Sequence, residues 1–209
     1  MDEAVWYASY GSNMWWPRFR CYLEGGVPPG ATHANDGARD ASAPTGSRLV
    51  QLPYRMYFAR SAAGWGGGVS FLDHERLAGD DPDRAWGRAW RITREQFDDV
   101  VAQENGLGPG EIVVDLVGLE PGDTRDVTAG WYGRLVLVDR LEGLPVVTFS
   151  SPEPLNPDAL NAPSAAYLRT LAGGIAECSD MSTEEIGEYL AAAPGAAGAW
   201  TAARAAALL

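Results

Sequence analysis

Lysine is absent from the 209 residues; all sixteen basic side chains are arginine. A Walker-type phosphate loop, a Schiff base and a lysine general base each need a primary amine, so those chemistries are excluded. Cysteine and histidine are scarce: Cys21, Cys178, His33 and His74. The four are scattered with no paired ligand spacing, so no metal site and no disulfide framework is expected. Both thiols read as structural. No run approaches the ~20 apolar residues needed to cross a bilayer. The N-terminus lacks a basic region followed by an apolar one, so no signal peptide is visible. The expectation is a cytoplasmic protein with no membrane partner. A formal charge of -12 leaves the surface repelling phosphate backbones, so nucleic acid is not expected as a partner either.

What is present suffices for a sizeable core: 46% of residues are hydrophobic and 10% aromatic. Val5–Tyr10 reads as a strand that ends in Gly11-Ser12-Asn13, a turn able to turn backbone N–H groups toward a ligand. Residues 14–23 read as a helix starting near Pro17, and 24–47, rich in Gly, Pro, Ala and Asp, as a long surface loop. Strands are expected at Arg48–Leu52, Tyr54–Arg60, Gly67–Leu72 and Ala85–Ile92. Thr93 and Gln96 form a capping box, with Ile92 and Phe97 as its staple, for a helix over 94–104 stopped by Asn105-Gly106. Further strands are expected at Ile112–Gly118, Trp131–Asp139 and Pro145–Ser150. Pro163 opens a helix through about Glu177, and Ser182 with Glu185 forms a second capping box. The Ala-rich end, Trp200–Leu209, reads as a peripheral helix. Strands first and helices clustered late predict α+β. The expected layout is a single domain over 1–193, with 24–47 as an insertion and 194–209 as an extension.

The helix after Thr93 contains an anomaly. Phe97, Val100 and Val101 form an apolar stripe, and the next member at i+7 is Glu104; Asp98, Asp99 and Gln103 fall on the watered side. A carboxylate facing inward in the last turn is disfavoured as an anion by desolvation and by the helix dipole, which raises its pKa toward acid–base use. Spacing alone leaves open a frayed last turn with Glu104 in solvent. Ser12 lacks the G-x-S-x-G elbow and a partnering histidine segment, so a serine hydrolase is not indicated.

Tyr10-Gly11-Ser12-Asn13-Met14, directly after the first strand, resembles the Tyr-Gly-Ser-Asn-apolar motif of γ-glutamylcyclotransferase-like proteins. Trp86-Gly87-Arg88-Ala89-Trp90 followed by Gln103-Glu104 resembles that family's second motif, and Pro163-Ser164-Ala165-Ala166-Tyr167 its late Pro-Ser-x-x-Tyr helix start. The resemblance runs over residues 4–193. It departs after Glu104, where Asn105–Ile112 carries no aromatic, and in the 24–47 insertion. It implies a mixed β-barrel flanked by α-helices, a pocket lined by the first turn, Glu104 and Tyr167, and release of 5-oxoproline and an amine from a γ-glutamyl amide. Because the substrate's own amine is the nucleophile, it implies neither a metal nor an organic cofactor. Glu104 is then the acid/base. Tyr10, Gly11, Ser12 and Asn13 bind the α-carboxylate or the oxyanion, with Gly11 needed for close approach, and Tyr167 is a hydrogen-bond donor. A binding module for a small amino-acid derivative and a scaffold with an unused pocket are the other readings.

Overall fold

The structure, a computed structural model, describes residues 4–209. The chain forms two compact units that interleave in sequence. One comprises residues 4–9, Pro17–Arg48 and Ala89–Glu153; the other comprises Tyr10–Trp16, Leu49–Arg88 and Pro154–Leu209.

The first unit contains strand β1 (Ala4–Ser9), most of helix α1 (Trp16–Glu24), the later half of a strand at Arg84–Thr93, and a helix at Arg94–Glu104. It also contains three strands at Thr124–Asp126, Arg134–Leu141 and Leu144–Ser150. With β2 (Gly46–Ala62) and β3 (Gly67–Arg76) assigned below, these are β4, α2, β5, β6 and β7 in chain order. Strand order in this unit is β4-β1-β7-β6-β5. β1 and β7 run parallel through Trp6↔Val146 and Tyr7↔Val147. β5–β6 and β6–β7 are antiparallel, so the sheet is mixed. The β6–β7 hairpin turns on Glu142 and Gly143, both at positive φ (55° and 78°), the backbone twist that a two-residue hairpin loop requires.

An aromatic cluster fills this unit. The Tyr7 ring lies 5.6 Å from Phe19 of α1, 5.7 Å from Phe97 of α2 and 5.3 Å from Phe149 of β7. Such pairs add roughly 0.5–1.5 kcal/mol each to the burial of their surface. Phe97, Val100 and Val101 are buried as the stripe predicts. Both halves of the Thr93–Gln96 capping box form, and the helix ends at Asn105, with Gly106 at φ 71°.

The opposite face of α2 corrects the expectation. Asp98 and Asp99 are buried rather than watered, and Asp99 has no exposed surface at all. Asp99 accepts the Arg39 backbone N–H (2.8 Å), the Arg39 guanidinium (3.0 Å) and the Gly110 N–H (2.8 Å). Asp98 accepts the Val114 N–H at 3.0 Å and pairs with Arg94. Burial pushes the Asp98 carboxyl above its ordinary range despite those donors. Gln96 donates to the Asp40 and Ser42 carbonyls, and Gln103 to the Tyr22 carbonyl. The polar side chains of α2 thus clasp loops that come from elsewhere in the sequence, which helix periodicity does not register.

Two further expectations shift. Ile112–Gly118 forms no strand. Its alternation is real, with Val114 buried and Val113 and Val117 exposed at 78% and 81%. Yet its N–H groups bond to side chains, Val114 to Asp98 and Val117 to Asp115, and Arg125 takes the carbonyls of Asp115 and Val117. Period-two exposure therefore arises here without a ladder. The strand expected from Trp131 begins instead at Arg134.

In the second unit the strand order is β3-β2-β4, with β2 and β3 antiparallel. The two strands expected on either side of Pro53 are one, β2. Proline lacks an N–H, but pairing with β3 starts just beyond it, at Tyr54↔Arg76, so the donor is not missed there. β3 runs four residues past the expected Leu72, to Arg76. The helices are α3 (Ala165–Cys178), α4 (Thr183–Ala192) and α5 (Ala202–Ala206). Ser164 rather than Pro163 caps α3, and both halves of the Ser182–Glu185 box cap α4. α5 lies so close to α4 that a Cβ at Gly187 would stand 2.5 Å from the Ala202 carbonyl oxygen. Gly67 and Gly68 serve a similar approach: the Gly68 N–H donates to the Ala162 carbonyl at 2.9 Å, and a Cβ at Gly68 would sit 2.1 Å from the Asn161 carbonyl oxygen.

Asp99→Ala should destabilise the protein by about 3 kcal/mol, because it strands the donors that converge on a buried carboxylate. Urea unfolding measures the loss, and limited proteolysis should find new cleavage within residues 24–47.

Candidate active site

In the first unit the candidate acid is placed by two helices. Glu104 occupies the last turn of α2 and is half-buried. Its charge bears on the phenol of Tyr22. Tyr22 lies on α1 and is buried. The phenol oxygen accepts a hydrogen bond from Arg18 at 3.4 Å, and that guanidinium lies 5.7 Å from the ring centroid. Desolvation first, and the Glu104 charge second, push the phenol well above its ordinary range, so it stays protonated. Gln103 fixes the approach of the two helices. Its amide donates to the Tyr22 carbonyl at 3.0 Å, and its oxygen accepts the Gly37 N–H at 3.3 Å. The frayed alternative for Glu104 is therefore not what the chain adopts.

In the second unit the Tyr10–Asn13 segment forms the expected tight turn. Ser12–Met14 is a single 3-10 turn in which the Met14 N–H donates to the Gly11 carbonyl (3.0 Å) and the Trp15 N–H to the Ser12 carbonyl (3.3 Å). Tyr10, Ser12 and Asn13 are buried. Gly11 needs no left-handed backbone; its φ is -117°. It is required by proximity instead. A Cβ there would lie 2.6 Å from the Ser70 Oγ and 3.3 Å from the Tyr167 hydroxyl. Tyr167 is reached through Ser70. Its hydroxyl accepts the Ser70 N–H at 3.1 Å and pairs with the Ser70 Oγ at 2.9 Å. Its ring packs edge-on to Trp65 at 4.9 Å and to Phe58 at 6.3 Å. Trp65 is therefore part of the wall beside Tyr167, whereas Trp6 and Trp90 are core.

The structure thus brings the Tyr10–Asn13 turn and Tyr167 together around Ser70, and it places Glu104 within electrostatic reach of Tyr22 on α1. The sequence reading missed Ser70 and Tyr22. Ser70 left a trace, since it is the one hydroxyl inside the apolar run Val69–Leu72, where a polar residue buried on a strand implies a specific partner. Tyr22 left none, because its relation to Glu104 depends on how α1 and the 24–47 segment fold back. That segment, expected as a surface loop, supplies Gly37, Arg39 and Asp40 to the packing around α2. Both cysteines are unpaired, and the described residues contain no group of three His, Cys, Asp or Glu side chains able to hold a metal ion. No helix among them is long and apolar enough to cross a membrane.

No protein-family model matches the sequence. A curated relative, histone deacetylase 5 of Arabidopsis thaliana, is 36% identical over 206 residues, which cover 89% of this chain and 30% of that protein. The chain thus spans less than a third of the length of the curated relative it matches. Among solved structures, a gamma-glutamyl cyclotransferase superposes with a TM-score of 0.54 at 16% identity, covering 92% of this chain and 89% of the other. An uncharacterised protein from Homo sapiens superposes with a TM-score of 0.51 at 19% identity, covering 92% and 90%.

Gly11→Ala should lower stability by about 2 kcal/mol, since the added methyl overlaps a buried, hydrogen-bonded hydroxyl. Combined with Ser70→Ala, which removes that hydroxyl, the substitution should cost clearly less than it does alone. A double-mutant cycle of denaturant midpoints measures the coupling; strict additivity would contradict this account of Gly11.

Proposed function

We propose, from the premise that this chain has the γ-glutamylcyclotransferase fold, that it is a cyclotransferase-type enzyme acting on a γ-glutamyl amide. The observation that carries the reading is the half-buried Glu104 in the last turn of α2, whose neighbour Gln103 ties that turn to the Tyr22 carbonyl of α1 at 3.0 Å. A partly sheltered acid in the last turn of a helix is suited to accept and return a proton.

The chemistry needs little else. The Glu104 carboxylate takes a proton from the substrate's α-ammonium. The freed amine attacks its own γ-carbonyl carbon, forming the ring C–N bond and a tetrahedral oxyanion. Glu104 then moves protons, one at a time, from the attacking nitrogen to the departing one. The old amide C–N bond breaks as the carbonyl re-forms, leaving 5-oxoproline and an amine. Backbone N–H groups of the Tyr10–Asn13 turn are assigned to the α-carboxylate or to the oxyanion, where a preorganised donor is worth several kcal/mol. Gly11 keeps that backbone close to Ser70 and Tyr167. Tyr167 is assigned a substrate hydrogen bond and Ser70 the task of holding its hydroxyl in place. Much of the acceleration falls to holding the substrate folded, so that amine and carbonyl meet as in an intramolecular ring closure.

The other reading is a binding module of the same fold, in which Glu104 pairs with a ligand ammonium without turnover. The deacetylase name of the plant relative stays with that protein, because no feature of the turn or of the Glu104 surroundings speaks for it.

Glu104→Gln should lower turnover of γ-glutamyl amides by about 10²–10⁴-fold, the range for loss of a general acid/base, and leave the unfolding midpoint nearly unchanged. Mass detection of 5-oxoproline across a panel of γ-glutamyl amines measures it. Full activity in the variant refutes the mechanism; a ligand-induced thermal shift in the wild type without any product points to the binding module.

A further inference from the structure

We propose that Glu177 and Arg88 are positioning residues for the Tyr10–Asn13 turn, clamping its exit so that its backbone N–H groups keep one fixed aim. Their bearing on substrate rests on the role assigned above to that turn; the clamp itself does not.

A lone 3-10 turn does not hold its own shape. Ser12–Met14 is tied internally through the Met14 and Trp15 N–H groups, and a single turn fixes more dihedral angles than such bonds repay. Its conformation is imposed from both ends. At the entry, Gly11 lies against Ser70 and Tyr167. At the exit, Arg88 Nη1 donates to the Met14 carbonyl at 3.1 Å and to Glu177 Oε2 at 2.8 Å. The same Oε2 accepts the Trp16 N–H at 3.1 Å. One nitrogen and one oxygen thus bracket the backbone from Met14 to Trp16. Both bonds to the carboxylate are charge-assisted. The Arg88 side chain is only 11% exposed, so water competes little for it.

Helix α3 follows the turn from end to end. Tyr167, Gly174 and Glu177 fall toward one face of it. They meet, in order, Ser70 beside Gly11, the Met14–Trp15 backbone and the Trp16 N–H. A Cβ at Gly174 would stand 2.6 Å from the Met14 Cβ and 2.8 Å from the Trp15 nitrogen, so glycine is what lets helix and turn lie this close. Glu177 occupies the last turn of α3, where the helix dipole disfavours a negative charge and no basic residue offsets it. Nothing within the helix favours a carboxylate there; the donors of Arg88 and Trp16 do.

Glu177→Ala removes the acceptor and releases the backbone at the exit. We expect kcat/KM for γ-glutamyl amides to fall about 10–100-fold, the cost of misplacing a preorganised group by around an ångström. Glu177→Gln keeps an oxygen acceptor in place and should lose less than about fivefold. Glu177→Asp, which withdraws the carboxylate by one methylene, guards against a folding defect in Glu177→Ala and should depress the same parameter. A raised KM with kcat kept assigns the turn to the α-carboxylate, and a lowered kcat with KM kept assigns it to the oxyanion; either upholds the positioning role. A lowered unfolding midpoint with kcat and KM of the folded enzyme unchanged makes Glu177 merely structural and overturns the proposal.

The clamp is also measurable without substrate. Backbone amide NMR resonances of Gly11, Ser12 and Asn13 should move in Glu177→Ala and return toward their wild-type positions in Glu177→Gln. Unmoved resonances overturn the proposal. Moved and rescued resonances, in a protein whose wild type yields no 5-oxoproline, uphold the clamp while the enzymatic reading fails.

Discussion

Helix α2 is gripped on both sides. Its apolar stripe closes the ring cluster formed by Tyr7, Phe19, Phe97 and Phe149, and its carboxylates hold loops by buried, charge-assisted hydrogen bonds. Neither grip alone fixes the helix. Rings pack through broad, non-directional contact and tolerate small rotations. Buried carboxylates do not, because each donor lost leaves a charge without compensation. The combination fixes both the rotation of α2 about its axis and its position along it. That in turn fixes where the side chain of its last residue, Glu104, emerges.

The 24–47 segment takes its meaning from this constraint. Its composition is that of a surface loop, and between the end of α1 and the start of β2 it contains no regular element beyond the isolated Gly26↔Asn35 bridge. It is nonetheless fastened at Gly37, Arg39, Asp40 and Ser42 to polar side chains of α2. An irregular segment can be ordered in this way when its backbone groups are satisfied by side chains instead of by a ladder. The same holds for residues 112–118, where Asp98 and Asp115 take the place of a neighbouring strand. Four of the polar side chains of α2, Gln96, Asp98, Asp99 and Gln103, thereby organise a large share of the irregular chain in its unit.

The second unit handles its critical contact differently. At Gly11 the absence of a side chain, not the presence of one, permits the Ser70–Tyr167 pair to form beside the turn. A glycine in a turn is usually credited to backbone conformation, but here the dihedral is one that any residue adopts and the restriction is space. Ser70 meanwhile gives Tyr167 two hydrogen bonds from one residue, so a single small side chain orients the phenol.

The sequence by itself determined the local events: both capping boxes, the halt of α2 at Asn105-Gly106, the apolar stripe on α2, and the mixed α+β order of elements. These are settled by contacts within a few residues, so a short window contains their causes. It also marked Glu104 and the Tyr10–Asn13 turn as out of the ordinary. Only the tertiary structure decided that Asp98 and Asp99 face protein and not water, that Ile112–Gly118 is no strand, that Ser70 stands between Gly11 and Tyr167, and that Tyr22 comes within electrostatic reach of Glu104. Most of those depend on partners outside the window of a single element. Burial and hydrogen-bond satisfaction are properties of the packed chain, and no periodicity along it encodes which distant donor will reach a given carboxylate.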